Sequence, residues 1–185
     1  IENLKVGSEK LTIFDPAVGT GNLLSTILNY FQDRKINFTG IGVDNDDTML
    51  SIASMSFAFE RLEVDLFHQD SIDDLFVKNV DVAVSDLPVG YYPIDERTEG
   101  FETRSKEGHS FVHHLLIEQS MKTVRPGGYG IFLVPSNLFQ TEEAKKLLSF
   151  FHEKVFLQAI LNLPSKMFKD EKAQKSILIL QRAGS

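Results

Sequence analysis

Apolar patterns of two different periods alternate along this chain, and the alternation limits the folds open to it. Residues 11–15 form a short buried strand, and residues 22–31 follow with Leu23, Leu24, Ile27, Leu28 and Phe31 in a helical stripe. Residues 38–44 are a second strand; residues 48–61 are a helix with Leu50, Ala53, Phe57 and Ala58 on one side. Residues 64–69 and 80–85 are the third and fourth strands. A helix over 110–124 is closed by Arg125-Pro126-Gly127-Gly128, where proline and glycine stop it. A fifth strand over 129–134, an amphipathic helix over 141–153 and two strands over 156–161 and 176–180 complete the pattern. Strand–helix alternation of this kind predicts an α/β fold, a mostly parallel sheet with helices on both faces. The last two strands lie too close for a helical crossover, so they are expected as antiparallel neighbours at one edge.

At 185 residues the chain has the length of one domain. With 42% hydrophobic and 24% charged residues it is neither disordered nor collagen-like. No apolar run approaches the roughly 18 residues of a membrane span, so a soluble, cytoplasmic protein with no membrane partner is expected. The net charge of −7 opposes unaided binding of a polyanion, because phosphates need clustered Lys and Arg. The absence of cysteine removes thiolate nucleophiles and cysteine-based metal sites. The sequence opens on Ile1 rather than Met, which suggests a fragment of a longer chain.

In open parallel sheets, ligands bind at the carboxyl ends of the strands. The first strand ends in Asp15-Pro16-Ala17-Val18-Gly19-Thr20-Gly21-Asn22, where two glycines permit a tight turn and the helix behind offers free amides. It lacks the Lys-Ser/Thr of a phosphate-binding loop and the third glycine of a dinucleotide fingerprint. The second strand ends in Gly42-Val43-Asp44-Asn45; Asp44 stands 23 residues after Gly21, placed to accept hydrogen bonds from a ribose. Asp46 or Asp47 is the better helix cap. The third strand ends in His68-Gln69-Asp70-Ser71. There Asp70 can accept from an exocyclic amine or serve as an ordinary turn residue. The fourth ends in Ser85-Asp86-Leu87-Pro88-Val89-Gly90-Tyr91-Tyr92. Pro88 keeps Leu87 extended, so the Asp86 carboxylate and Leu87 carbonyl form an acceptor pair for an NH2 group.

With these four strand ends in order, the chain resembles the catalytic domain of class I S-adenosylmethionine-dependent methyltransferases. More narrowly, it is similar to adenine-N6 DNA methylases allied to the modification subunit of type I restriction systems. DPAVGTGN resembles the family's motif I, GVDN its acidic motif, HQDS its adenine-contacting motif and DLPVG its NPPF/Y-G signature. The likeness continues through GGYGIFLVPSNLF, AILNLPSKMF and KSILIL, covering roughly residues 8–182. The resemblance implies a Rossmann-like three-layer sandwich, with strand order 3-2-1-4-5-7-6 and an antiparallel seventh strand. It also implies S-adenosylmethionine as cofactor. Asp15, Ala17, Gly19, Thr20 and Gly21 would surround its methionine part, Asp44 its ribose, and Asn45, Asp70 and Ser71 its adenine. Asp86, Leu87 and Pro88 would hold the target amine.

Three positions depart from the family's signature. Asp86 stands for Asn, Leu87 for the first Pro, and Val89 for the aromatic that stacks on a flipped base. Tyr91 and Tyr92 follow Val89 within three residues. If the substrate is a flipped base, one of them is expected to supply the missing ring, Tyr91 being favoured because it lies on the same side of an extended stretch as Val89. Otherwise both pack the loop against the sheet. DNA is expected as partner only with flanking segments or a separate recognition domain. RNA, protein glutamine or an inactive regulatory role are the alternatives. His109, His113 and His114 are expected to be solvated or capping residues, not metal ligands, and Lys145-Lys146 and the lysines of 166–175 to be solvated surface. The polar connection 93–108 is expected to be mobile without substrate, because it has few apolar anchors beyond Ile94 and Phe101.

Overall fold

The computed structural model describes residues 10–184; Ile1, on which the expectation of a longer parent rests, lies outside them. The elements are β1 (Leu11–Asp15), α1 (Asn22–Asp33), β2 (Phe38–Asp44), α2 (Asp47–Phe59), β3 (Val64–His68), β4 (Val80–Asp86), α3 (Val112–Thr123), β5 (Val124–Pro135), α4 (Ala144–Lys154), β6 (Val155–Asn162) and β7 (Lys175–Arg182). They build one seven-stranded sheet in the order β3-β2-β1-β4-β5-β7-β6. The pairs from β3 to β5 are parallel, whereas β7 runs antiparallel to both β5 and β6. The expected fold class and strand order are therefore the observed ones.

Alternation along the central strands feeds two cores. Ile13, Val82 and Val84 point to α1 and α2, where they meet Leu24, Leu28, Phe31, Leu50, Ala53 and Phe57. Phe14, Ala83, Phe132, Val134, Leu178 and Leu180 point the other way, to Leu115, Ile117, Met121, Leu147 and Phe150 of α3 and α4. Strands buried on both faces read as continuous apolar runs, which is why VDVAVS was legible as a strand. At roughly 1.5–3 kcal/mol for each fully buried large apolar side chain, these two layers set the rigidity of the strand ends above them.

The Arg125–Gly128 segment departs from the expectation. It does not lie between helix and strand: α3 ends at Thr123 and β5 begins at once, with the glycines inside an irregular opening of that strand. The ladder with β4 steps from Val80↔Val124 to Val82↔Tyr129, so the extra residues form a bulge that lets β5 start early. Between β6 and β7 the chain makes only two short 3-10 turns, Ser165–Met167 and Glu171–Ala173. The connection 93–108 has polar anchors besides its few apolar ones. Thr98 and Thr103 are buried, and the Glu118 carboxylate of α3 accepts from the Glu102 and Thr103 amides at 3.1 and 2.7 Å. Glu118 itself is fully buried, with Lys122 one turn along the helix as its cation partner.

Candidate active site

The carboxyl ends of β1 to β4 open into one cavity of about 650 Å³. Ala17, Gly19, Asp44, Asn45, Asp70 and Ser71 line one part of it; Asp86, Pro88 and Tyr91 line the other, with Val89, Tyr92 and Arg97. Nine sequence-chosen residues thus share a single space. Asp15, Thr20, Gly21 and Leu87 are not among its lining residues.

Asp15 lies beneath the cavity, only 2% exposed. Its Oδ1 accepts from Ser85 Oγ at 2.7 Å and from the Ala17 amide at 3.0 Å. Burial pushes its carboxyl up to about 7, the two hydrogen bonds opposing that rise and the nearby charges of Asp44 and Asp86 adding to it. Gly21 takes φ +88 at the start of α1, and a Cβ there would meet the Phe57 ring at 2.6 Å. It is the residue that lets α1 begin hard against α2. Gly19, at φ +55, faces open space instead, where a ligand could approach the backbone.

Asp44 is a keystone of the turn. Its Oδ2 accepts from the Gly19 amide at 2.8 Å and its Oδ1 from the Asp46 amide at 2.9 Å, so one carboxylate ties the two strand ends together. Asp46 caps α2, accepting from the Thr48 and Met49 amides.

At the end of β3, Asp70 is already engaged on both oxygens. Oδ1 accepts from the Ile72 amide at 2.9 Å, the expected turn bond. Oδ2 accepts from the Tyr92 hydroxyl at 2.5 Å and from Arg97 at 3.1 Å. Arg97 also reaches Asp73 at 3.3 Å. Tyr92 is 5% exposed, and burial together with the Asp70 bond pushes its hydroxyl up to about 12. A contact between Asp70 and an adenine amine would therefore have to share the carboxylate with this latch. Ser71 lines the cavity too, but its hydroxyl is buried and donated to the Pro16 carbonyl at 2.6 Å, bracing the first turn from below.

The acceptor turn is held by packing where a second proline is missing. Leu87 is 2% exposed and part of the core under α3, and its amide donates to Leu133 O at 3.3 Å. Asp86 beyond it is exposed and pairs with Lys175 Nζ at 2.6 Å. Gly90 at φ +142 redirects the chain so that Tyr91 and Phe111 form an isolated bridge. Their rings stack at 4.7 Å and 15°, while Tyr91 remains 59% exposed beside the cavity.

Sequence reading missed Ser85, Arg97 and Lys175, and considered Tyr92 for its ring rather than for its hydroxyl bond to Asp70. None belongs to a local pattern around its partner; Lys175 stands 89 residues from Asp86. The histidines also correct the expectation in part. His109 is exposed and pairs with Asp95 at 2.8 Å. His113 and His114 are instead buried against Phe111 on α3, where desolvation drives them down to about 4 and about 3. Among the described residues no group of three or more His, Asp or Glu is placed to hold a metal ion, and no helix is long and apolar enough to cross a membrane.

Known proteins share the sequence or the fold of this chain. The Bacillus subtilis protein YtxK is 48% identical over 167 residues, covering 90% of this chain and 50% of its own length. A Listeria monocytogenes crystal structure described as a class I S-adenosylmethionine-dependent methyltransferase superposes with a TM-score of 0.88 at 43% identity, covering 94% of this chain and 54% of that one. The modification subunit of a type I restriction enzyme from Vibrio vulnificus shares the fold at a TM-score of 0.68 and 18% identity, over 94% of this chain and 40% of its own. The chain thus spans about half the length of the Bacillus and Listeria relatives. The N-6 DNA methylase family model matches residues 2–185, and the chain belongs to that family of methyltransferases.

Proposed function

We infer that this domain transfers a methyl group from S-adenosylmethionine to an amino group, that of adenine in DNA. One observation carries the reading: the Asp44 and Asp70 strand ends, Asp86 and Pro88 of the acceptor turn and the exposed Tyr91 ring all border one cavity. The residues fit the cofactor. Gly19 leaves room for a ligand against its backbone, and Asp15 is a desolvated carboxyl whose charged form a ligand cation would favour. Asp44 would offer its remaining lone pairs to ribose hydroxyls while it holds the Gly19 turn. When bound, the cofactor supplies a sulfonium methyl group open to in-line attack by nitrogen.

The chain's own contribution is positioning. The lone pair of the adenine amine is delocalised into the ring, and accepting both N–H hydrogens favours a pyramidal, more nucleophilic nitrogen. Asp86 and the Leu87 carbonyl are the acceptors, and buried Leu87 fixes their relation. Tyr91, braced from one side by Phe111, offers the surface on which a flipped base stacks. The net charge of −7 assigns the grip on DNA to segments or partners other than this domain.

Transfer of tritium from labelled cofactor to DNA, RNA and total protein by the full-length parent tests the reading. Label in the N6 position of DNA adenine is expected. Label confined to protein glutamine or RNA would replace the substrate, and cofactor binding with no transfer would indicate a regulatory domain.

A further inference from the structure

The Asp86–Lys175 contact is the feature of this cavity that the strand-end pattern does not explain. Lys175 opens β7, in register with Pro135 at the carboxyl end of β5, while Asp86 pairs with Leu133 on the same strand. The antiparallel run of β7 is what brings the start of that strand to the rim where the parallel strands end. From there the ammonium reaches Asp86 Oδ1 at 2.6 Å, with side chains 31% and 50% exposed. Asp86 lines the cavity and Lys175 stands just outside its lining residues, both side chains partly open to solvent while bonded to each other.

An asparagine at position 86 would present one acceptor oxygen and one NH2 donor. Aspartate presents acceptors only. Resting on the adenine reading above, we propose that Lys175 restores the missing donor, so that Asp86 and Lys175 read the amine edge of the base together. Asp86 Oδ2 accepts an amine hydrogen, and Lys175 Nζ, held by Oδ1, donates to the ring nitrogen beside that amine. The pattern matches adenine, whose amine is flanked by the unprotonated acceptors N1 and N7, in the way that a bidentate amide matches it. Lys175 also fixes the rotation of the Asp86 carboxylate and so keeps Oδ2 turned to the amine. It is a specificity-determining residue: it selects the base and takes no proton and no methyl group.

The test titrates the full-length protein, saturated with S-adenosylhomocysteine, with adenosine, 1-deazaadenosine and 7-deazaadenosine, following the lysine ammonium nitrogens by NMR. Adenosine is expected to shift one ammonium signal that is absent in Lys175→Met. It should bind about tenfold more tightly than whichever deaza analogue lacks the contacted nitrogen. Lys175→Met should erase that difference, and Lys175→Arg should keep much of it. Unchanged cofactor affinity in both variants shows that neither has merely misfolded. If adenosine binds and DNA accepts label, yet all three nucleosides bind equally or the difference survives in Lys175→Met, the pair does not read the base and the proposal alone fails. If adenosine leaves the protein untouched and DNA accepts no label, the adenine reading falls and takes this one with it.

Discussion

The two ends of the cavity are built by different means. At the cofactor end, the carboxylates are held chiefly by backbone amides: Asp44 by Gly19 and Asp46, Asp46 by Thr48, and Asp15 by Ala17 together with the Ser85 hydroxyl. At the acceptor end, Asp86 is held by a side chain from across the fold: Lys175 reaches it from 89 residues away, and between the two ends Tyr92 and Arg97 latch Asp70 from 22 and 27. Turn-built sites are rigid once the strands and helices form. A site built from distant side chains depends on how the sheet edge and the 93–108 connection settle. Cofactor binding should therefore tolerate changes at the acceptor end, while catalysis should not.

The most severe break in that separation is Asp86→Ala. It removes the acceptor without touching the turn at Gly19, so methyl transfer by the full-length protein should fall by about a hundredfold or more, as for loss of a preorganised hydrogen-bonding group. Affinity for S-adenosylhomocysteine, read by calorimetry, should stay within about twofold, a change of ~0.4 kcal/mol. A matching collapse of cofactor affinity would show that the two ends are one unit. Next comes Asp44→Ala, which should weaken cofactor binding by roughly ten- to a hundredfold. Each bond to a charged group is worth about 1.5–3 kcal/mol, and the Gly19 turn loses its tether as well. Equal affinity in the variant would remove Asp44 from the site.

The same difference explains what could be read from the chain alone. Strand order apart, the α/β pattern was visible because strands buried on both faces and amphipathic helices leave different periods, as in 80–86 and 22–33. The Asp46 cap and the Asp44 position were visible because their physics is local. The start of β5 was not, because Arg125-Pro126-Gly127-Gly128 carries every mark of a helix stop and a bulge absorbs it instead. Lys175 was invisible among the other lysines of that region, since only strand pairing brings it to Asp86. The burial of His113 and His114 was hidden by their polarity; α3 is covered on more of its surface than a two-sided helix would be.

Tyr91 gives a smaller and more selective effect. Stacking on a base is worth roughly 1–3 kcal/mol, so Tyr91→Ala should cost about tenfold in methylation of DNA. Tyr91→Phe keeps the ring and its stack on Phe111 and should cost little. Cofactor affinity should not change in either. If Tyr91→Ala leaves the methylation rate untouched, the ring does not stand in for the aromatic that Val89 replaces.

The mildest prediction concerns pH, and it sets Asp15 against the two buried histidines. Burial raises Asp15 from 3.8 to about 7, so between those values the folded chain holds a proton that the unfolded chain has lost. Its contribution to stability is complete below 3.8 and is lost as pH rises through 7. His113 and His114 behave in the opposite sense. Their values fall from 6.5 to about 4 and about 3, so their contribution is complete above 6.5 and is lost as pH falls. With two imidazoles against one carboxyl, the melting temperature of the cofactor-free protein should climb as pH rises toward 6.5. A cationic cofactor beside Asp15 favours its charged form and so binds better as the proton leaves. Affinity should increase between about pH 6 and 8 by at most ~10-fold, the limit in which only ionised Asp15 binds. Asp15→Asn should flatten that dependence while leaving the climb in melting temperature toward 6.5 in place. Calorimetry across the range, with thermal melts of both proteins, checks both halves. The same slope of affinity with pH in Asp15→Asn would show that the titrating group lies elsewhere, in the cofactor's own amine or at another carboxylate of the rim.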